Sequence, residues 1–199
     1  MENILDSIKL YINKKHSSKK WEAGKDWVQY AGPFFDDKEY TAAIKSLLNE
    51  WLVLGQDAIT FENLFPKQFN KEYGILTNSG SSSNLLMMLA MTSKRLYNLP
   101  KGTKVITPIA GFPTTVNPIF QCGFTPIFVD IEIDTLNLNL NQVEMALATH
   151  PDCKAITFAH VLGNPPNMDQ VMDIVKRYNL IFLEDCCDAL GSNYDGQPL

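Results

Sequence analysis

From Tyr73 onward the chain alternates between two kinds of segment, and that alternation constrains the fold more than any other feature. Short apolar runs, "YGILT", "KVITP", "TPIFVDI", "KAITFAH" and "LIFLED", are separated by stretches with apolar residues at helical spacing, "SSNLLMMLAMTSKRL", "TTVNPIFQCG", "NLNQVEMALATH" and "NMDQVMDIVKRYN". Runs this short, rich in Val, Ile and Phe and with no polar alternation, are predicted strands buried on both faces. Strands joined through helices run parallel, because each crossover carries the chain back to the same end of the sheet. The predicted fold is therefore α/β, a mostly parallel sheet with helices on both faces. A chain of 199 residues, 45% of them hydrophobic, can bury the core that this layering needs.

Upstream the pattern is helical. "LDSIKLYINKKH" places Leu5, Ile8 and Ile12 on one helix face, and the basic "KKHSSKKW" that follows is read as a solvated helix end and linker, so that residues 1–35 form an N-terminal helix and linker. "DDKEYTAAIKSLLNEWL" predicts a second amphipathic helix, with Asp36 or Asp37 as its cap and Gly55 as its end. Residues 36–199 are read as one domain. The net charge of −5 offers no basic face for nucleic acid. No apolar run approaches the ~20 residues that span a bilayer, and the first residues lack the features of a secretory signal, so a cytoplasmic protein without a membrane partner is expected. The four cysteines (Cys122, Cys153, Cys186, Cys187) show no CxxC spacing and are expected as thiols. Together with His16, His150 and His160 they give no established zinc spacing.

In open parallel sheets ligands gather beyond the carboxyl ends of strands. Three turns lie there. "NSGSSSN", Asn78 to Asn84, leads into a helix whose free amides and dipole favour an anion; Gly80 allows close approach and Ser81 and Ser82 offer hydroxyls, although a merely Ser-capped helix accounts for the pattern equally well. In "AGFPTTVNP", Phe112 sits between Gly and Pro, placed either to stack on a flat ligand or to pack in the core. "LEDCCDALGS" puts Glu184, Asp185 and Asp188 where an apolar strand emerges, and Asp185 reads as a helix cap or as a carboxylate waiting for a cation. Jointly, an anion seat, a ring stacker and a carboxylate are the parts that hold pyridoxal phosphate or pyridoxamine phosphate.

The strings "YAGPFFDDKE", "EWLVLG", "FENLF", "LTNSGSSSNLL", "AGFPTTVNP", "FVDIEIDTLNLN", "AHVLGN" and "LEDCCDALGSNYDG" make the chain, from about Tyr30 to its end, resemble the DegT/DnrJ/EryC1/StrS sugar aminotransferases and dehydratases. The resemblance is strongest to the family's 3-dehydrases of CDP-4-keto-6-deoxy-D-glucose and lipopolysaccharide biosynthesis. It implies a partial large domain of the aspartate aminotransferase (PLP-dependent type I) fold, in a chain about half as long as its relatives. Gly80 and Ser81 would bind the cofactor phosphate, Phe112 would stack on its ring, and Asp185 would pair with the pyridinium nitrogen. Asp188 would lie near the phenolic oxygen, where aminotransferases of the family carry His or Gln, and an acid there favours elimination over amino transfer. His160 and Asn164 either line the active-site side or serve structure, and Gly163 serves the turn. Cys187 matches one of four cysteines that hold a two-iron, two-sulfur cluster in the dehydrase; Cys186, Cys122 and Cys153 are left to packing. The resemblance further implies a homodimer, a CDP-linked 4-keto-6-deoxy sugar as substrate, an NADH-dependent reductase as partner, and a decisive His or Lys downstream of Leu199. An aminotransferase acting on sugar nucleotides, and a non-catalytic interaction fragment, are the competing readings.

Overall fold

A computed structural model describes residues 2–18, 20–29, 32–51 and 53–199. Tyr30 and Ala31 of "YAGPFFDDKE" and Leu52 of "EWLVLG" lie outside the described residues. The chain divides into two units, Met1–Phe61 and Glu62–Leu199. In the first, helix α1 (Glu2–Ser18) packs on α2 (Asp37–Leu48) and Ile12 is buried there. Helix α2 starts at Asp36, whose Oδ1 accepts the Lys38 amide at 2.7 Å, while Glu39 Oε2 accepts the Asp36 amide at 2.7 Å; the reciprocal pair satisfies two helix-end donors. Gly55 does not end this helix. Asn49 caps it, and Glu50 turns the chain with φ +56°, several residues earlier; Gly55 instead precedes α3 (Gln56–Leu64) and accepts the Ile59 amide.

The second unit carries helix α4 (Gly80–Thr92) and then the predicted alternation: β1 (Lys104–Pro108), α5 (Pro113–Gln121), β2 (Thr125–Val129), α6 (Leu140–Thr149), β3 (Ala155–Ala159), α7 (Met168–Arg177) and β4 (Ile181–Asp185). The four strands form one sheet in the order β2-β1-β3-β4, every pair parallel, as short apolar runs separated by helices require. Alternate side chains divide between two cores. Val105 and Ala155 meet Met88 and Met91 of α4 and Ile119 of α5, with Cys122 and Phe124, on one face. Ile106, Ile156 and Phe158 meet Val143 and Leu147 of α6 and Val171 and Ile174 of α7, with Cys153, on the other. Cys122 and Cys153 are thus packing residues, as expected. Each large side chain buried in these layers contributes about 1.5–3 kcal/mol.

The run "YGILT" is a correction: it forms no strand. Among the described residues no neighbour pairs with it, and a strand without a ladder leaves its amides to other acceptors. The Leu76 amide goes to Glu62 Oε1 at 2.8 Å, and Tyr73 and Ile75 lie exposed. The chain closes with a hairpin, β5 (Asn193–Tyr194) on β6 (Gln197–Pro198), turned by Asp195 and Gly196, both at positive φ, the geometry for which Asp-Gly is suited.

Candidate functional site

The carboxyl end of β4 and the amino ends of α4 and α5 converge in the second unit, and a single carboxylate joins them. Asp185, the last residue of β4, is 5% exposed. Its Oδ2 accepts Asn84 Nδ2 at 2.8 Å from α4 and Thr115 Oγ1 at 2.9 Å from α5; its Oδ1 accepts the Cys187 amide at 3.1 Å. Burial pushes the Asp185 carboxyl up, but hydrogen bonds from Asn84, from the Cys187 side chain and amide, and from Thr115 outweigh it, so the group titrates below the ordinary carboxylate range. Among the described residues no Lys, Arg or His pairs with it. A buried anion is thereby held ionised by neutral donors alone. The helix-cap alternative for Asp185 fails, because an irregular turn follows it and no helix begins there.

At the start of α4 the cap is Ser79, whose Oγ accepts the Ser82 amide at 3.2 Å. Gly80 and Ser81 are the first two helical residues, and among the described residues their amides carry no hydrogen bond. A methyl group on Gly80 would meet Cys187 Sγ, so glycine lets the β4 turn come close to the helix end without displacing that side chain. Two free amides and the positive end of the helix dipole favour an anion there.

Phe112 is the N-cap residue of α5, with Pro113 fixing the first helical turn. The residue is 68% exposed and belongs to neither core among the described residues. Asp188 is exposed beyond the turn, near enough to Cys187 to raise that thiol but outside the hydrogen-bonded cluster around Asp185. Desolvation, then the hydrogen bond to Asp185 and its charge, push the Cys187 thiol up to about 11; Cys186, half-buried beside Glu184 and Asp185, is pushed up to about 12, again chiefly by desolvation. A two-iron, two-sulfur cluster needs four thiolate ligands. Cys122 and Cys153 lie in the cores on opposite faces of the sheet, so the cysteines of this chain do not fit such a cluster by themselves.

His160 is fully buried after β3; its Nε2 bonds Glu184 Oε1 at 2.8 Å and its ring meets Phe158 edge-on. The parallel register, which sets Ala159 beside Asp185, makes this pairing, and Cys186 joins it so that the three ligand atoms lie within 4.8 Å. His160 thus has its Nε2 engaged by Glu184, while its Nδ1 is buried without a hydrogen-bond partner among the described residues. Asn164, exposed, ties its Nδ2 to the Thr135 carbonyl at 2.6 Å, and Gly163 turns at φ +73° where a side chain would meet Ser192 Oγ. Sequence reasoning missed Asn84 and Thr115. For Asn84 a signal existed: it is a polar residue on the line Asn84, Met88, Met91 that forms the buried face of an otherwise apolar helix.

The sequence model of the DegT/DnrJ/EryC1/StrS aminotransferase family matches residues 34–199. Lipopolysaccharide biosynthesis protein RfbH of Salmonella typhimurium is 40% identical over 98% of this chain and 45% of its own length. The dTDP-4-dehydro-2,6-dideoxy-D-glucose 3-dehydratase of Saccharopolyspora spinosa is 36% identical over 98% of this chain and 42% of its own. The solved Escherichia coli GDP-4-keto-6-deoxy-D-mannose-3-dehydratase with bound hydrated PLP superposes with a TM-score of 0.77 at 34% identity, over 85% of this chain and 43% of that one. An aminotransferase from Psychrobacter cryohalolentis superposes with a TM-score of 0.75 at 26% identity, over 84% of this chain and 41% of that one. The sheet and its helices are thus part of the PLP-dependent aminotransferase fold, and the chain spans less than half the length of these relatives.

Proposed function

We propose, on the premise that the chain belongs to the DegT/DnrJ/EryC1/StrS aminotransferase family, that residues 36–199 are part of the cofactor-binding domain of a sugar-nucleotide 3-dehydratase. The observation that carries the reading is Asp185, a buried carboxylate kept ionised without a cation of its own. Such a group is stabilised by a cationic ligand, and a protonated pyridine nitrogen is one.

In this reading the amides of Gly80 and Ser81 bind the cofactor phosphate, Phe112 lies over the cofactor ring, and Asp185 holds the proton on the ring nitrogen. Asp188 supplies an acidic group beside the phenolic oxygen. When bound, pyridoxamine phosphate supplies an amine for the sugar ketone and a ring that accepts electrons. The substrate is a 4-keto-6-deoxyhexose carried on a nucleoside diphosphate, with CDP as the nucleotide, and the bond broken is that to the C3 hydroxyl. The reading includes a homodimer and an NADH-dependent reductase as partner, with Cys187 contributing at most one ligand to a cluster completed elsewhere. Named 3-dehydratases among the relatives, at 30–36% identity, support elimination; amino transfer on the same sugar class is the competing reading, supported by the aminotransferase at 26%.

Titration of the chain with pyridoxamine phosphate and pyridoxal phosphate, followed by cofactor absorbance, tests the site. Saturable binding weakened about tenfold or more in Asp185→Asn is expected, the scale of losing a buried charge pair; equal binding by both proteins would refute the role of Asp185. In the complete protein, incubation with CDP-, GDP- and dTDP-linked 4-keto-6-deoxyhexoses separates the chemistries. A product lacking the C3 oxygen supports dehydration, and an amino sugar as sole product refutes it.

A further inference from the structure

Asn84, the last residue of the first turn, ties that turn to the other two. It sits on α4, one helical turn after Gly80; its Nδ2 donates to Asp185 Oδ2 at 2.8 Å at the end of β4 and to the Thr114 carbonyl at 3.3 Å, two residues after Phe112. Thr115, next in the chain, donates its hydroxyl to the same Oδ2 at 2.9 Å. A carboxylate offers about two acceptor sites on each oxygen. Oδ2 is therefore filled by two neutral donors, whereas Oδ1 accepts the Cys187 amide at 3.1 Å, and the only other donor to the carboxylate among the described residues is the Cys187 thiol, a weak S–H donor that a charged partner can displace.

We propose that Asn84 and Thr115 are positioning residues that saturate Asp185 Oδ2 and so present Oδ1 to the ring nitrogen of a bound pyridine cofactor, with Asn84 also holding the Phe112 turn in register with that carboxylate. This rests on the cofactor reading above. The two residues act differently. Thr115 works through the carboxylate alone, while Asn84 works through both the carboxylate and the stacking turn. Both are buried and neither carries a charge, so they fix the orientation of Asp185 without competing for its partner.

The test compares pyridoxal phosphate with its analogue in which C–H replaces the ring nitrogen, since the analogue keeps the phosphate and ring but has nothing for Asp185 to pair with. Wild-type chain is expected to prefer the natural cofactor by about tenfold, the scale of a hydrogen bond to a charged group. Thr115→Val, nearly isosteric, is expected to cut that preference about threefold and leave binding of the analogue unchanged, the partial loss that follows when one of two donors to a charged oxygen is removed. Thr115→Ser, which keeps the hydroxyl, should restore the preference. Asn84→Leu should cut the preference and also weaken the analogue, because the Phe112 turn loses its tie. A purely structural role would weaken both compounds alike and leave their ratio unmoved in Thr115→Val. That outcome, with wild-type preference intact, overturns the assignment of Asn84 and Thr115 and leaves the cofactor reading standing. A wild-type chain that shows no preference, or binds neither compound, overturns the pairing of Asp185 with the ring nitrogen itself and the positioning roles with it.

Discussion

Asp185 shows how a residue's meaning depends on what surrounds it. On the sequence it is one acid among three in "LEDCCDALGS"; in the fold it alone is buried and hydrogen-bonded by Asn84, Thr115 and Cys187, whereas Asp188 faces solvent and Glu184 takes His160. The neighbouring thiols carry a prediction. With Cys187 titrating near 11 and Cys186 near 12, both are protonated at pH 8, and only the thiolate is nucleophilic. Their alkylation by iodoacetamide should be more than tenfold slower than after unfolding, where a thiol titrates near ~8.5, and the Cys187 rate should climb about tenfold per pH unit between pH 8 and 10. Mass spectrometry of labelled peptides measures this, and rapid labelling of folded Cys187 at pH 7 would contradict it. Gly80 carries a second prediction. A methyl group there meets Cys187 Sγ, so Gly80→Ala should destabilise by about 1–3 kcal/mol as an overpacked contact. Cys187→Ala should relieve most of that cost, and a double-mutant cycle by urea unfolding reads the coupling.

At the scale of elements, local signals decided where they were strong. Asp36 with Glu39 began α2 with a capping box, and Asn139 and Asn167 cap α6 and α7 more simply, each through its side-chain oxygen on the amide three residues on. Replacing Asn139 by Ala should lower stability by about 1 kcal/mol, seen as a lower urea midpoint with unchanged slope. Phe158→Ala in β3 should cost about 3–5 kcal/mol, since the ring is 1% exposed and packs on Phe182 and His160. Local signals failed in two places. Gly55 suggested a helix end that Asn49 and Glu50 had already made, and "YGILT" had the composition of a strand without a partner to pair with. β composition describes a surface that fits a pleated sheet; whether a sheet is within reach is not a local property.

The whole molecule leaves both outer strands of its sheet with an unpaired edge among the described residues, and apolar side chains gather beyond β4. Phe65, Phe69, Tyr73, Cys186, Leu190 and Leu199 line a cavity of about 480 Å³, with Ile75 and Leu190 exposed nearby. Open edges and large apolar patches drive association. The isolated chain is therefore expected to self-associate with rising concentration, measured by light scattering on a sizing column, and Ile75→Lys should reduce it. A monodisperse, cooperatively unfolding monomer would contradict this. The sequence by itself determined the layering, because hydrophobic period and caps act within a few residues: the parallel strands, of which four of the five runs read as such pair in the sheet, the helices between them, and the two faces of the core. Only the tertiary structure decided which acid is buried, which serine caps and which residues hold Asp185. Those outcomes rest on contacts between residues 70 and 101 positions apart, Thr115 and Asn84 to Asp185, which no local pattern encodes.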